Sequence, residues 1–164
     1  MTDTLPRPAA AIVQAGHRLG LDLEVREFPE GTRTAVDAAR AVGCDVDQIV
    51  KSLVFVADGT PVLVLTSGGN RVDPVKVARL TGAAAVRKAD ADEARTATGF
   101  AIGGTPPFGH PRPLQVLVDR DLTRFELVWA AAGTPRHVFP ITPAALLDAS
   151  GGQVTEVAED RLSS

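Results

Sequence analysis

Ile49-Val50-Lys51-Ser52-Leu53-Val54-Phe55-Val56 is the stretch whose reading decides the fold. Its β-branched and aromatic residues predict a strand, and a strand sends successive side chains to opposite faces. Ile49, Lys51, Leu53 and Phe55 therefore share one face, and Val50, Ser52, Val54 and Val56 the other. Either way the Lys51 ammonium has apolar neighbours, where an unpaired charge is costly. Such a lysine either snorkels to water at the strand end or lines a pocket that uses its charge. The strand by itself leaves both open.

Outward from this run the chain alternates short helices and strands. Asp58-Gly59 predicts a tight hairpin into a second apolar strand, Pro61 to Thr66. Upstream, a helix is predicted over about Pro8 to Leu19, stopped by Gly20, then a strand over Leu21 to Phe28. Thr34 is placed to cap a helix from Ala35 to Val42 that Gly43 ends. Downstream, Asp73-Pro74 opens a helix through Leu80, Ala84 to Ala89 reads as a strand, and Asp90 to Thr98 as a helix. Strands are expected at Leu114 to Val118, Glu126 to Ala131, His137 to Ile141 and Gln153 to Val157, with a helix from Thr142-Pro143 to Ser150. Hairpins and the lack of strict βαβ alternation argue against a doubly wound sheet and for an α+β fold. No repeat, linker or second domain is visible, so residues 1–164 are read as one domain.

The bulk numbers narrow the function. With 45% hydrophobic and 23% charged residues, the 164-residue chain has the composition of a globular protein. Six Phe, one Trp and no Tyr leave few stacking platforms for single-stranded nucleic acid. A formal net charge of -3 provides no global basic field for a long phosphate backbone, so a nucleic-acid ligand would be gripped locally. A single cysteine, Cys44, excludes an internal disulfide and a cysteine-cluster metal site. His17, His110 and His137 are too widely separated to form a metal motif, so neither metal nor cofactor is expected. Met1-Thr2-Asp3-Thr4-Leu5-Pro6-Arg7-Pro8 lacks a leader pattern and no segment approaches the roughly 20 apolar residues of a membrane span. A cytoplasmic location without membrane attachment is the expectation.

Phe100-Ala101-Ile102-Gly103-Gly104-Thr105-Pro106-Pro107-Phe108-Gly109-His110 is the second informative segment. Paired glycines allow a ligand close to the main chain, and the prolines stiffen the loop behind them. Fixed N–H groups of this kind suit a carbonyl oxygen or developing oxyanion. A tight structural turn explains the same residues, and both readings stand. No phosphate-binding loop or dinucleotide fingerprint is present. His110 flanks the loop, where a place near the substrate and a surface role are both open, the surface role favoured. His137 lies close in sequence to Ala131 and is a candidate for the pocket. Arg71, Lys76, Arg79, Arg87 and Lys88 could touch phosphates or form a solvated helix face.

Thr34, the Ile49–Phe55 run, Val72-Asp73-Pro74-Val75-Lys76-Val77-Ala78, Ala97 to Gly109 and Ala131-Ala132-Gly133 occur in that order. Together they resemble the YbaK/ProX family of aminoacyl-tRNA editing domains, related to the insertion domain of bacterial prolyl-tRNA synthetase. The resemblance spans about Leu21 to Val157. It implies a YbaK-like α+β fold, with a mixed, mostly antiparallel, barrel-like sheet and short surrounding helices. It also implies a deacylase that cleaves the ester between a wrong amino acid and the 3′-terminal adenosine of tRNA. The partners implied are the acceptor end of mischarged tRNA and an aminoacyl-tRNA synthetase.

By the same resemblance, Lys51 orients the terminal adenosine and the reacting ester rather than acting as nucleophile. Gly103, Gly104, Thr105 and Pro106 hold the aminoacyl group by their backbone, and Thr34, Ser52 and Ala131 line the side-chain pocket. An aminoacyl ester is already activated, so a positioned water and a stabilised oxyanion can suffice. Members that remove cysteine carry serine in the region of Ala131 and phenylalanine at the position of Thr34. Both differ here, which points to a small amino acid such as alanine, serine or threonine. A non-catalytic aminoacyl- or nucleotide-binding module and a purely structural scaffold are the competing readings.

Overall fold

The computed structural model describes residues 5–32 and 34–160. Residues 1–4, part of the stretch read above as carrying no leader, lie outside it. The strand predicted around Lys51 is β2, Ile49–Ala57, and it pairs antiparallel with β3, Thr60–Ser67, along its whole length. Asp58 and Gly59 join them at φ 48° and 85°. Two successive positive φ values match the strands' right-handed twist, which is why Asp-Gly stands here.

The remaining strands are β1 (Arg26–Glu27), β4 (Val86–Lys88), β5 (Gln115–Asp119), β6 (Val128–Ala131), β7 (His137–Ile141) and β8 (Gln153–Thr155). They form one sheet in the order β1-β7-β6-β2-β3-β5-β8, with β4 added beside β2. The β1–β7, β7–β6, β2–β3 and β2–β4 pairs are antiparallel; β6–β2, β3–β5 and β5–β8 are parallel. The sheet is thus mixed, with its longest pairing antiparallel, as the α+β reading requires. The short helices are α1 (Arg7–Arg18), α2 (Ala35–Val42), α3 (Pro74–Thr81), α4 (Ala91–Thr98) and α5 (Pro143–Ser150). No helix among the described residues is long and apolar enough to cross a membrane.

Helix ends follow the residues read as caps. Thr34 Oγ1 accepts from the Asp37 amide at 3.0 Å, Asp73 from Val75 at 2.9 Å and Thr142 from Ala145 at 3.2 Å. Asp90 and Glu93 close a reciprocal capping box at the start of α4. Arg87 clasps Glu93 with two 2.7 Å bonds, which holds the Glu93 carboxyl down at about 2.

One predicted element is much shorter than expected. Only Arg26 and Glu27 of the Leu21–Phe28 stretch pair as a strand. Leu21, Leu23 and Val25 instead pack, half-buried, against the main core, so their alternation reflects burial without a ladder. Conversely, the 3-10 turn at Arg120–Arg124 was not legible as an element.

The main core lies on the Val50/Val54 face of β2, with Leu63, Leu65, Val118, Phe139 and Leu146. A second cluster covers the Phe55 side, where Val62, Val64, Val77 and Leu117 meet. Phe139 is fully buried and meets Phe108 edge-to-face at 5.8 Å between ring centres, tying the 99–110 loop to the sheet. Phe139→Ala should therefore cost about 3–5 kcal/mol of folding stability, read by urea unfolding. A loss below about 1 kcal/mol, the size of a surface substitution, would contradict this role for the ring.

Candidate functional site

The neighbours of β2 create the site. On one edge β2 meets β3 throughout. On the other it pairs with β6 only at Ile49 and Val50, and with β4 only from Phe55 to Ala57. Between those partners Lys51, Ser52 and Leu53 face neither ladder on that edge. The Val54 carbonyl accepts from Ala89 there and the Asp58 amide donates to Ala85. Main-chain groups of a strand alternate sides, so the N–H and C=O of Ser52 point into the same gap.

A cavity of about 180 Å³ opens at this gap. Its floor is Ile49 to Val54, and one wall is Trp129, Ala130 and Ala131 of β6. Ala35, Ala38 and Val42 on α2, with Val138, make the apolar inner surface. Ile102, Gly103 and Thr105 close the opposite side, and Lys88 stands at the rim. Arg26 stacks over the Trp129 ring at 4.9 Å from its centre and holds that wall.

Lys51 is half-buried and donates to the Asn70 carbonyl at 2.6 Å. An ammonium has three donors, so two remain for the cavity. Burial pushes its pKa below the ordinary lysine value, and the nearby positive charges of Lys88 and Arg71 push the same way. Asp119 opposes them. The half-buried ammonium makes no ion pair among the described residues.

Lys51, Thr34, Ser52, Gly103, Thr105 and Ala131, all singled out in the sequence, line the one cavity. Gly104, Pro106 and His137 do not. The Gly104 amide donates to Ala101 at 3.1 Å, closing a turn whose third residue, Gly103, has φ 91°. Among the described residues the Gly103 and Thr105 amides have no protein acceptor. The loop is therefore a tight turn at Gly104, and the amides on either side of it lack a protein acceptor among the described residues. Thr105 is buried and its hydroxyl donates to the Ala101 carbonyl at 3.3 Å. The Ser52 hydroxyl is buried and has no hydrogen-bond partner among the described residues.

The two histidines brace this loop from outside. His110 Nε2 lies 2.8 Å from the Pro106 carbonyl and its ring meets Phe100 edge-on, so it is half-buried against the loop. Burial pulls its pKa below the usual histidine value, partly offset by the bond to Pro106. His137 is buried, with Nδ1 2.6 Å from the Thr134 hydroxyl and Nε2 3.8 Å from a Glu27 carboxylate oxygen. Thr134 Oγ1 also accepts from the Arg136 amide at 3.1 Å. This fixes the 133–136 turn against which Gly104 packs.

The five sequence cations separate in space. Lys76 is tied to Asp160 at 2.8 Å and to the Ala158 carbonyl at 2.7 Å, and Arg87 to Glu93. Arg71 and Lys88, beside Lys51, make no ion pair among the described residues. No group of three or more His, Cys, Asp or Glu among the described residues is arranged to hold a metal ion.

One cavity is lined by the half-buried Lys51 and by Gly103 and Thr105, and no serine or cysteine that lines it is hydrogen-bonded to a base among the described residues. The model of the aminoacyl-tRNA editing domain matches residues 29–149, and the chain belongs to that family. An uncharacterized protein of Bacillus subtilis (strain 168), YwhH, is 31% identical over 131 residues, covering 80% of this chain and 83% of that protein. The proline–tRNA ligase of Ligilactobacillus salivarius (strain UCC118) is 35% identical over 111 residues, or 68% of this chain. The aligned part is 19% of that ligase, so the chain corresponds to a small segment of it. A crystal structure of a proposed trans-editing enzyme for prolyl tRNA synthetase superposes with a TM-score of 0.90 at 47% identity, covering 96% of this chain and 100% of that one.

A Cβ added to Gly104 would stand 2.7 Å from Thr134 Cα and 2.9 Å from the Gly133 carbonyl oxygen, both backbone atoms. Gly104→Ala should therefore destabilise the protein by about 1–3 kcal/mol. It should also shift the amide resonances of residues 103–105 and 133–136 in NMR spectra; unchanged stability and spectra would show that the loop can part from that turn freely.

Proposed function

We propose that the protein is a trans-editing hydrolase that removes a small wrong amino acid from tRNA by cleaving the ester at the 3′-terminal adenosine. The observation that carries this reading is the shared cavity of Lys51 and the free amides of Gly103 and Thr105. In the reaction the ammonium orients the terminal ribose and the ester, and the amides receive the carbonyl oxygen as it gains negative charge. A water attacks the ester carbon, the tetrahedral intermediate collapses, and the ribose oxygen leaves with a proton. The activated ester needs no protein nucleophile. The base that takes the water's proton comes from the substrate, through the ribose hydroxyl or the amino acid's amine.

Pocket shape supports alanine, serine or threonine as the amino acid. Ala35, Ala38 and Val42 leave limited apolar depth, while Thr34 and Ser52 contribute hydroxyls. Discrimination by a single methylene is worth only about 1–3 kcal/mol, so the preference is graded. Arg71 and Lys88, free of carboxylates and next to Lys51, supply a local grip for phosphates near the 3′ end, consistent with the net charge of -3. A cytoplasmic site of action and a synthetase partner belong to the same proposal.

The purified protein should hydrolyse at least one member of a panel of tRNAs for proline, alanine, serine and threonine charged with small amino acids. Lys51→Ala should lower the rate by about 100-fold or more, the scale of losing an oriented electrostatic contact. Saturable binding of an aminoacyl-adenosine analogue without turnover across the panel would instead identify a binding module.

Joint replacement of Arg71 and Lys88 by alanine should raise KM more than it lowers kcat and flatten the salt dependence. An unchanged salt slope would remove them from the tRNA contact.

A further inference from the structure

We propose that Asn70 and Asp119 are positioning residues for Lys51, Asp119 clamping the 67–70 turn so that the Asn70 carbonyl holds the ammonium at the cavity wall. The inference rests on the deacylase reading for its kinetic consequence, while its structural part stands on the geometry alone.

Asp119 ends β5 and is only 1% exposed. One of its oxygens accepts from the Ser67 amide at 3.0 Å and from Asn70 Nδ2 at 2.8 Å; the other accepts from the Asp121 amide at 3.0 Å. The second hydrogen of Asn70 Nδ2 goes to Asp121 Oδ2 at 2.8 Å, so both amide hydrogens are committed to carboxylates. The Asn70 amide closes the turn onto the Ser67 carbonyl at 2.9 Å. With its side chain and its N–H both fixed, Asn70 has little freedom to rotate the carbonyl that Lys51 meets at 2.6 Å.

Strand register lends the second line of support. Lys51 stands opposite Thr66 on β3. Leu65 stands opposite Val118 on β5, so one residue further Thr66 adjoins Asp119. Residues opposite one another project on one face, and Lys51, Thr66 and Asp119 form a row across three strands. The Thr66 hydroxyl in the middle is buried and has no hydrogen-bond partner among the described residues. A buried carboxylate at the far end of that row offsets the like charges at the near end. The charged groups bearing on Lys51 are Lys88 of β4, Arg71 of the loop and Asp119 of β5, and Asp119 alone is negative.

The signs follow. If the ammonium is the working form, activity falls as pH rises through the Lys51 pKa. Asp119→Asn removes the influence that raises this pKa, so the alkaline limb should move to lower pH. Lys88→Met removes one that lowers it, so the Lys51 titration should move to higher pH.

The decisive experiment combines kinetics with lysine-selective NMR on the intact chain. Asn70→Ala, which keeps the backbone carbonyl but frees the turn, and Asp119→Asn should each lower kcat by about 10- to 100-fold, as misplacing a positioning group does. KM should change far less. The Lys51 Cε titration midpoint should fall in Asp119→Asn and rise in Lys88→Met. Folded variants with wild-type kcat and an unmoved midpoint would overturn the proposal, as would loss of folding in both Asn70→Ala and Asp119→Asn, which would assign the pair to stability alone. The NMR arm needs no substrate. A shifted midpoint in a protein that deacylates nothing would support the positioning and reject the hydrolase reading.

Discussion

Everything at the site follows from the way one edge of β2 is divided. β6 takes its first two residues and β4 its last three, and the two partners run in opposite directions relative to it. Strands approaching a common edge from two ends cannot both continue, so three residues between them keep their main chain unmatched on that side. A sheet normally hides such an edge. Here α2 and the 99–110 loop arch over it and leave a cavity instead of a seal. Lys51 and Ser52 fall inside the three-residue interval, which is why those two side chains and no others of the strand combine polarity with burial.

The electrostatics have the same origin. Two cations of an acidic chain, Lys51 and Lys88, line one cavity, and Arg71 lies near enough to act on Lys51, while other cations are neutralised. Lys76 is bound by the segment after β8, and Arg87 by the capping box of α4. Neighbouring positions 87 and 88 thus serve opposite ends: alternation along β4 turns one toward a helix cap and the other toward the cavity. Lys88 and Arg71 repel the Lys51 ammonium, and the buried Asp119 offsets part of that repulsion.

Much of this was legible in the chain. The β2–β3 hairpin announced itself through Asp58-Gly59 between two apolar runs, and Thr34, Asp73, Asp90 and Thr142 marked helix starts because their oxygens are needed there. Lys51 stood out for its apolar company and Gly103 for its paired glycine. Residues that act across long sequence gaps were silent. Asn70 looked like part of a polar loop and Asp119 like the end of a strand; nothing local shows that they meet some fifty residues apart. Leu21 to Val25 misled in the other direction, since alternating burial needs a neighbouring surface but not a neighbouring strand. His137 was drawn toward the pocket by its proximity to Ala131, yet the turn between them reverses the chain and sends the ring to the far side.

The inner wall of the cavity has a property of its own. Ala35, Ala38 and Val42 lie at helical spacing on α2, whose one cation, Arg40, is exposed and does not line the cavity. Larger side chains at those positions would fill the chamber in steps while remaining good helix formers. On the proposed reading, size selection is therefore mechanically separate from the reactive end. A lineage could retune which residue it admits by editing three sites on one short cylinder, with the charge and backbone groups opposite left as they are.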